Sequence, residues 1–181
     1  GVLIEDEAAL TISWGTSLKG DEAAGLATVW VDGTLTVTGR QNFDMNDGRT
    51  DGGAQKWYIG DRGRVNTMFT SATKGDNRKW KMQVLVADDP EIEGVTRTTQ
   101  TVTKQVMSWR TDIFSQIDEL VVYQKDAAGS YTLLDNNAVV THDANGLYVT
   151  YTALVNTYNY QVNILRDVEG GPFRKFPDKR V

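Results

Sequence analysis

Carboxylates are the most plentiful chemistry-bearing groups in this chain. Asp44, Asn46, Asp47 and Asp51 stand close together in Asp44-Met45-Asn46-Asp47-Gly48-Arg49-Thr50-Asp51-Gly52. Oxygen donors at such spacing suit calcium, which takes roughly six to eight oxygens from a flexible loop. The run lacks the closing Glu of an EF-hand, so an Asp-rich turn is the default reading and these four residues are a candidate calcium site beside it. Asp61, Asp76, Asp88, Asp89, Glu91 and Glu93 supply further acids. A glycoside hydrolase needs two carboxylates roughly 5 to 10 Å apart, but nearly all of these lie beside Gly, Asn or Pro, where Asp caps turns. His142 is the one histidine. It precedes Asn145-Gly146, a hairpin signal, and no G-x-S-x-G nucleophile elbow accompanies it, so it reads as a turn residue. No catalytic residue is assigned, and no cofactor other than calcium.

Aromatic side chains open a second chemistry, because an exposed Trp or Tyr can stack on a sugar ring or anchor a protein interface. Trp57, Tyr58 and Trp80 are the candidate ligand or interface residues. Trp30 stands on a face otherwise made of Thr, and in a strand Trp57 and Tyr58 point opposite ways, so some rings lie outside the first core layer. In a fold with two apolar layers the same rings would be buried.

The elements that position these groups are strands. Alternation marks Leu10–Trp14, Val29–Thr38, Trp80–Val86, Leu147–Ala153 and Tyr158–Ile164, since every second side chain of a half-buried strand enters the core. Between them lie Asp32-Gly33, Gly60-Asp61-Arg62-Gly63, Ala128-Gly129 and Asn145-Gly146, which are tight-turn signals. One stripe departs from this rule. Val102, Val106, Trp109, Ile113, Ile117 and Leu120 recur at helical spacing, which predicts a helix over 104–119 following a Thr-rich strand.

A loose repeat is also present. Trp30, Trp57, Trp80 and Trp109 recur at intervals of about 23 to 29 residues, in the range that stacked solenoid coils leave in sequence. Gly33-Thr34-Leu35-Thr36-Val37 and Gly63-Arg64-Val65-Asn66-Thr67 share a phrase, echoed by Gly146-Leu147-Tyr148-Val149-Thr150.

The 181 residues carry a formal charge of −5 and 40% hydrophobic residues, with no cysteine. That composition fits one globular domain of ordinary size and removes disulfides and thiol chemistry. Scattered Lys and Arg exclude nucleic acid as the expected partner, and no run approaches the roughly 20 apolar residues of a membrane span. The Thr-, Gly-, Asn- and Asp-rich polar composition leans toward an exported protein in mature form. An acidic segment, 1–9, is expected to extend before the first strand, and a polar tail, 170–181, to follow the last. Such extensions can add a strand to a neighbour's sheet edge.

The phrases Val31-Asp32-Gly33-Thr34-Leu35-Thr36-Val37-Thr38-Gly39 and Ile59-Gly60-Asp61-Arg62-Gly63-Arg64-Val65-Asn66 give residues 29–89 a resemblance to secreted bacterial right-handed β-helix surface proteins. That resemblance implies an extracellular β-solenoid without implying a substrate. Ser115-Gln116-Ile117-Asp118-Glu119-Leu120-Val121-Val122-Tyr123 is similar to a strand of laminin-G-like jelly rolls, a fold often used for glycans.

The sequence therefore predicts a mainly all-β domain over 1–181, β-solenoid-like or a jelly-roll sandwich, with one helix near 104–119. The leading functional expectation is an extracellular or cell-surface structural protein that self-assembles through strand edges and termini into a filament, sheath or layer. A carbohydrate-binding module for polysaccharide is the alternative, and a polysaccharide-active enzyme of the β-helix kind comes third.

Overall fold

A computed structural model describes residues 2–13, 29–38, 55–68 and 80–158, with the side chains of 55, 56, 80, 116 and 118 left out. The candidate calcium residues Asp44, Asn46, Asp47 and Asp51, the strand expected beyond Tyr158 and the tail 170–181 lie outside the described residues.

The described chain is built from strands: β1 (Val2–Ile4), β2 (Ala9–Ile12), β3 (Val29–Val31), β4 (Thr34–Val37), β5 (Gln55–Ile59), β6 (Arg64–Thr67), β7 (Trp80–Ala87), β8 (Thr96–Trp109), β9 (Ile117–Lys125), β10 (Tyr131–Leu133), β11 (Ala138–His142) and β12 (Gly146–Thr157). One sheet has the order β1-β3-β5-β7-β9-β10, the other β11-β12-β8-β6-β4-β2. Up to β9, successive strands alternate between the two sheets, and each pairs in parallel with the next strand of its own sheet. That is the path of a β-solenoid, in which one coil contributes one strand to each face. The fold is all-β with two sheets on one core. Its parallel pairing belongs to the solenoid arrangement, whereas a jelly roll pairs neighbours antiparallel.

Coil length is visible in the register. Val2, Val29, Trp57 and Met82 are successive partners, with steps of 27, 28 and 25 residues by subtraction of their positions. In the second sheet Thr34, Leu35, Thr36 and Val37 pair with Arg64, Val65, Asn66 and Thr67, so the two Gly-led phrases are equivalent positions of stacked coils. The tryptophans are not: Trp30 pairs with Tyr58, while Trp57 pairs with Val29. The third phrase, 146–150, lies in β12 and runs antiparallel to β8, outside the coil repeat.

Inward residues from both sheets form one cluster that includes Val29, Val31, Leu35, Val37, Ile59, Val65, Met82, Val84, Leu147 and Val149, each essentially inaccessible to water. After β9 the pattern changes. A hairpin adds β10 to β9, and another joins β11 to β12. Asp126 and Asp143 close these turns by accepting backbone N–H groups at Ala128 and Ser130, and at Asn145 and Gly146. Antiparallel strands thus end the parallel stack on both faces.

The helix predicted over 104–119 does not form. Its residues belong to β8, a linker with one 3-10 turn at Phe114–Gln116, and β9. The reason is a bulge: Leu147 pairs with Met107 but Tyr148 pairs with Gln105, leaving Val106 as an extra residue in β8. Val102, Lys104 and Val106 alternate inward, and past the bulge Met107 and Trp109 take over the same face. The three-residue step from Val106 to Trp109 therefore imitates a helical step. Threonine pairs reinforce the strand, Thr103 with Thr150 on the outer face and Thr98 with Thr157 on the opposite one, each hydrogen-bonded through the hydroxyls at 2.9 Å.

Segment 1–9 is likewise more than an extension. Val2–Ile4 is a full rung against β3, followed by a corner in which Glu7 takes a positive φ of 64°. No helix among the described residues is long and apolar enough to cross a membrane.

Candidate functional site

Each coil turns from the first sheet to the second at a corner, and the corners stack. Glycine makes this possible. A Cβ on Gly33 would collide with the carbonyl oxygens of Ala8 and Glu5 in the coil before it, and one on Gly63 would collide with Val31 O. The corner amides carry the stacking bonds: Gly33 N–H donates to Ile4 O at 3.1 Å, and Gly60 N–H to Val31 O at 2.8 Å. Acids set in these corners, Asp6, Asp32 and Asp61, are thereby brought near one another.

On the outer side of the first sheet the corners border a groove of about 510 Å³. Its aromatic lining is Trp30, Tyr58 and Tyr131, and Asp32, Asp61 and Arg62 are among its polar groups. Trp30 and Tyr58 occupy equivalent rungs of β3 and β5, and their rings stack with centroids 3.7 Å apart and planes 29° from parallel. The indole N–H donates to Asp32 Oδ2 at 2.6 Å, which fixes the ring's orientation. Asp32 Oδ1 lies where a Cβ on Gly60 would sit, so the glycine of the next corner makes room for that carboxylate. Arg62 reaches back across the coils to Asp6 Oδ2 at 2.7 Å. Burial raises the Tyr58 phenol above the ordinary tyrosine range, and nearby Tyr131, Asp32 and Asp61 raise it further. Its hydroxyl is therefore a hydrogen-bond donor at any physiological pH.

The candidates from sequence separate clearly. Tyr58 is in the groove. Trp57 is 2% exposed and belongs to the core, which removes it as a stacking platform. The cause is strand alternation: Trp57 shares an inward register with Val29 and Met82. Trp80 begins β7, and its side chain is outside the described part. Trp30, 40% exposed, takes the place expected for Trp57. Its setting between Val29 and Val31, on a Thr face, was the sequence signal for that outward direction. Tyr131 gave no comparable signal, because its strand is three residues long.

A second cavity, a cleft of about 530 Å³, lies on the far side of the corner 61–64 and shares Asp61 and Arg62 with the groove. β6 pairs with β8 from Val65–Met107 onward, and residues 103–106 line the cleft beside the corner. Arg64, Asn66, Gln105 and Ser108 line it, with Lys104 withdrawn into its wall. Lys104 Nζ donates to Gly60 O at 2.6 Å and to Leu85 O at 3.3 Å. Burial pushes its pKa down to about 8; Asp61 and Asp32 oppose that shift, and Arg64 adds to it.

Asp88, Asp89 and the histidine have structural partners. Asp88 Oδ1 accepts from Gln124 Nε2 and Leu154 N, and Asp89 Oδ2 accepts from Asn156 N at 2.6 Å. These carboxylates tie the fourth corner to β9 and β12. His142 ends β11, pairs through Nδ1 with Asp112 Oδ2 at 2.6 Å, and stacks on Phe114 at 4.1 Å between ring centroids. It thereby clasps the linker between β8 and β9. Among the described residues, no three His, Asp or Glu side chains are grouped to hold a metal ion.

Compared with known proteins, the chain matches no family model, no curated protein and no solved structure.

Proposed function

We propose that this chain is a carbohydrate-binding β-solenoid of an extracellular or cell-surface protein, and that its ligand is a polysaccharide lying along the groove over Trp30 and Tyr58. The single observation that carries this reading is the stacked, half-exposed Trp30–Tyr58 pair with Asp32 and Arg62 beside it. Sugar rings offer flat C–H faces to aromatic rings and hydroxyls to carboxylates and guanidinium groups, and this groove supplies both kinds of contact. The Thr-, Asn- and Gly-rich composition supports the location. Titration with neutral and acidic oligosaccharides, followed by tryptophan fluorescence and calorimetry, tests it. Saturable binding that Trp30→Ala removes is expected; a complete absence of binding across such a panel would overturn the reading.

Self-association is the second reading, and one observation favours it. β10 and β11 are the outer strands of the two sheets at the same end of the stack, and Tyr131, Leu133 and Val139 on them are 57%, 43% and 58% exposed. Free edges bearing apolar side chains pair readily with a second copy. Negative-stain microscopy at high concentration discriminates: ordered filaments or sheets would put assembly first, and dispersed particles would leave the groove as the working site.

A further inference from the structure

We propose that the cleft behind the corner 61–64 is an acid-recognising subsite, which makes the ligand of the groove a polysaccharide carrying spaced acidic sugars, uronate or sulfate ester. This rests on the glycan reading of the groove and deepens it.

The chain as a whole is acidic, with 24 Asp and Glu against 19 Lys and Arg. The cleft has the opposite balance. Of its charged lining residues Asp61 alone is acidic, and with Arg62 paired to Asp6 of the groove, Arg64 and Lys104 give the recess its positive balance. A recess of one sign within a protein of the other focuses potential on the complementary ligand group. Arg64 is exposed at the mouth and presents a planar fork suited to a carboxylate or a sulfate. Lys104 lies deeper, held by two backbone carbonyl oxygens. An ammonium has three donors, so one remains beyond those two bonds. Asn66 and Ser108, joined to each other at 2.7 Å, add neutral polar groups on the same wall.

Continuity with the groove sets the kind of polymer. Asp61 and Arg62 line both cavities, so one chain crossing the corner meets the aromatic pair on one side and the basic recess on the other. The groove side sets Glu5, Asp6, Asp32 and Asp61 against Arg62 and Lys125, so its lining is acidic on balance and repels anions. A homopolymer charged at every sugar would meet that repulsion, whereas a polymer alternating neutral and acidic sugars places a neutral ring over Trp30 and an acid beside Arg64.

The test uses the whole chain and three probes of equal length: an oligosaccharide alternating uronate with a neutral sugar, the same compound with its carboxyl groups reduced to alcohols, and a sulfate ester of that reduced compound. One acidic probe or both should bind at least about tenfold more tightly than the reduced compound at low salt, with the advantage shrinking as sodium chloride is added. Arg64→Gln should cut that ratio several-fold. Preference in the uronate arm or in the sulfate arm identifies the acid. If the reduced compound binds as well as both acidic ones, or if Arg64→Gln leaves the ratio intact, the acid subsite is overturned while glycan binding stands. If none of the three binds, the glycan reading itself falls, and this inference with it.

Discussion

The indole of Trp30 lies against the phenol ring of Tyr58 with 3.7 Å between centroids, across two neighbouring coils. Nothing local brings them together; only the coil register does. One position before Tyr58, Trp57 faces the opposite way into the core. The two tryptophans therefore separate binding from stability. Trp30→Ala should leave a folded protein, losing about 1 kcal/mol with its aromatic pair, and should weaken glycan binding at least tenfold. Trp57→Ala should cost about 3 to 5 kcal/mol through a core cavity. Urea denaturation of both variants, with fluorescence titration of Trp30→Ala, checks this; equal destabilisation by the two would contradict the assignment of faces.

Corner glycines give a second expectation. Gly33 lies against the carbonyl oxygens of Ala8 and Glu5, so Gly33→Ala must push two coils apart. Overpacking of this kind costs about 1 to 3 kcal/mol. Gly129, by contrast, turns a surface hairpin with open space around its Cβ position and φ of +88°, so Gly129→Asn should cost only the backbone strain, about 1 kcal/mol, because Asn tolerates the left-handed region better than most residues. Thermal melts of the two variants measured together would show whether the coil corners or the hairpin turns are the sensitive glycines.

Much of this architecture is legible in the sequence, and the parts that are not have physical reasons. Alternation in Val29–Val31 is direct because that strand has one wet face and one buried face. The Gly-led phrases at 33–37 and 63–67 announce stacked corners, since only glycine fits there. The false helix over 104–119 arose from a bulge at Val106, which one-dimensional periodicity reads as a helical step. Leu85 is outward-facing yet 3% exposed, and it shares the groove lining with Tyr131, 46 residues further along the chain. Lys104 was invisible among the threonines of β8; its role depends on the corner carbonyl of Gly60, 44 residues earlier in the chain.

Asp88 is a test of whether acids in this chain are structural. Its Oδ1 serves both the Leu154 amide at 3.0 Å and the Gln124 side chain at 2.7 Å. Removing the acceptor strands two donors in a partly buried place, at about 2 to 3 kcal/mol. Asp88→Ala should therefore lower the melting temperature markedly, and Asp88→Asn, which keeps one acceptor oxygen, should do so by less. Unchanged stability in Asp88→Ala would mean that water replaces both bonds.

The Lys104 ammonium gives the fold an unusual alkaline profile. Burial lowers its pKa from 10.5 to about 8, with Asp61 and Asp32 opposing and Arg64 reinforcing the shift. Between pH 8 and 10.5 the unfolded chain holds more protons at this site than the folded one, so stability must rise with pH across that window. A shift of this size corresponds to at most about 3 kcal/mol, less after allowance for residual contact with solvent. Tyr58 and Tyr151 act in the other direction. Burial, first among the causes, raises both phenols, so stability that they contribute below pH 10 is lost as the pH climbs beyond it. The two contributions together should rise from about pH 8 and fall beyond about pH 10. Urea unfolding at intervals from pH 7 to 11 measures the curve, and Lys104→Met should flatten its rising limb while leaving the fall above pH 10. A wild-type curve that declines steadily from pH 7 would show that the ammonium is better solvated than its contacts with Gly60 and Leu85 imply.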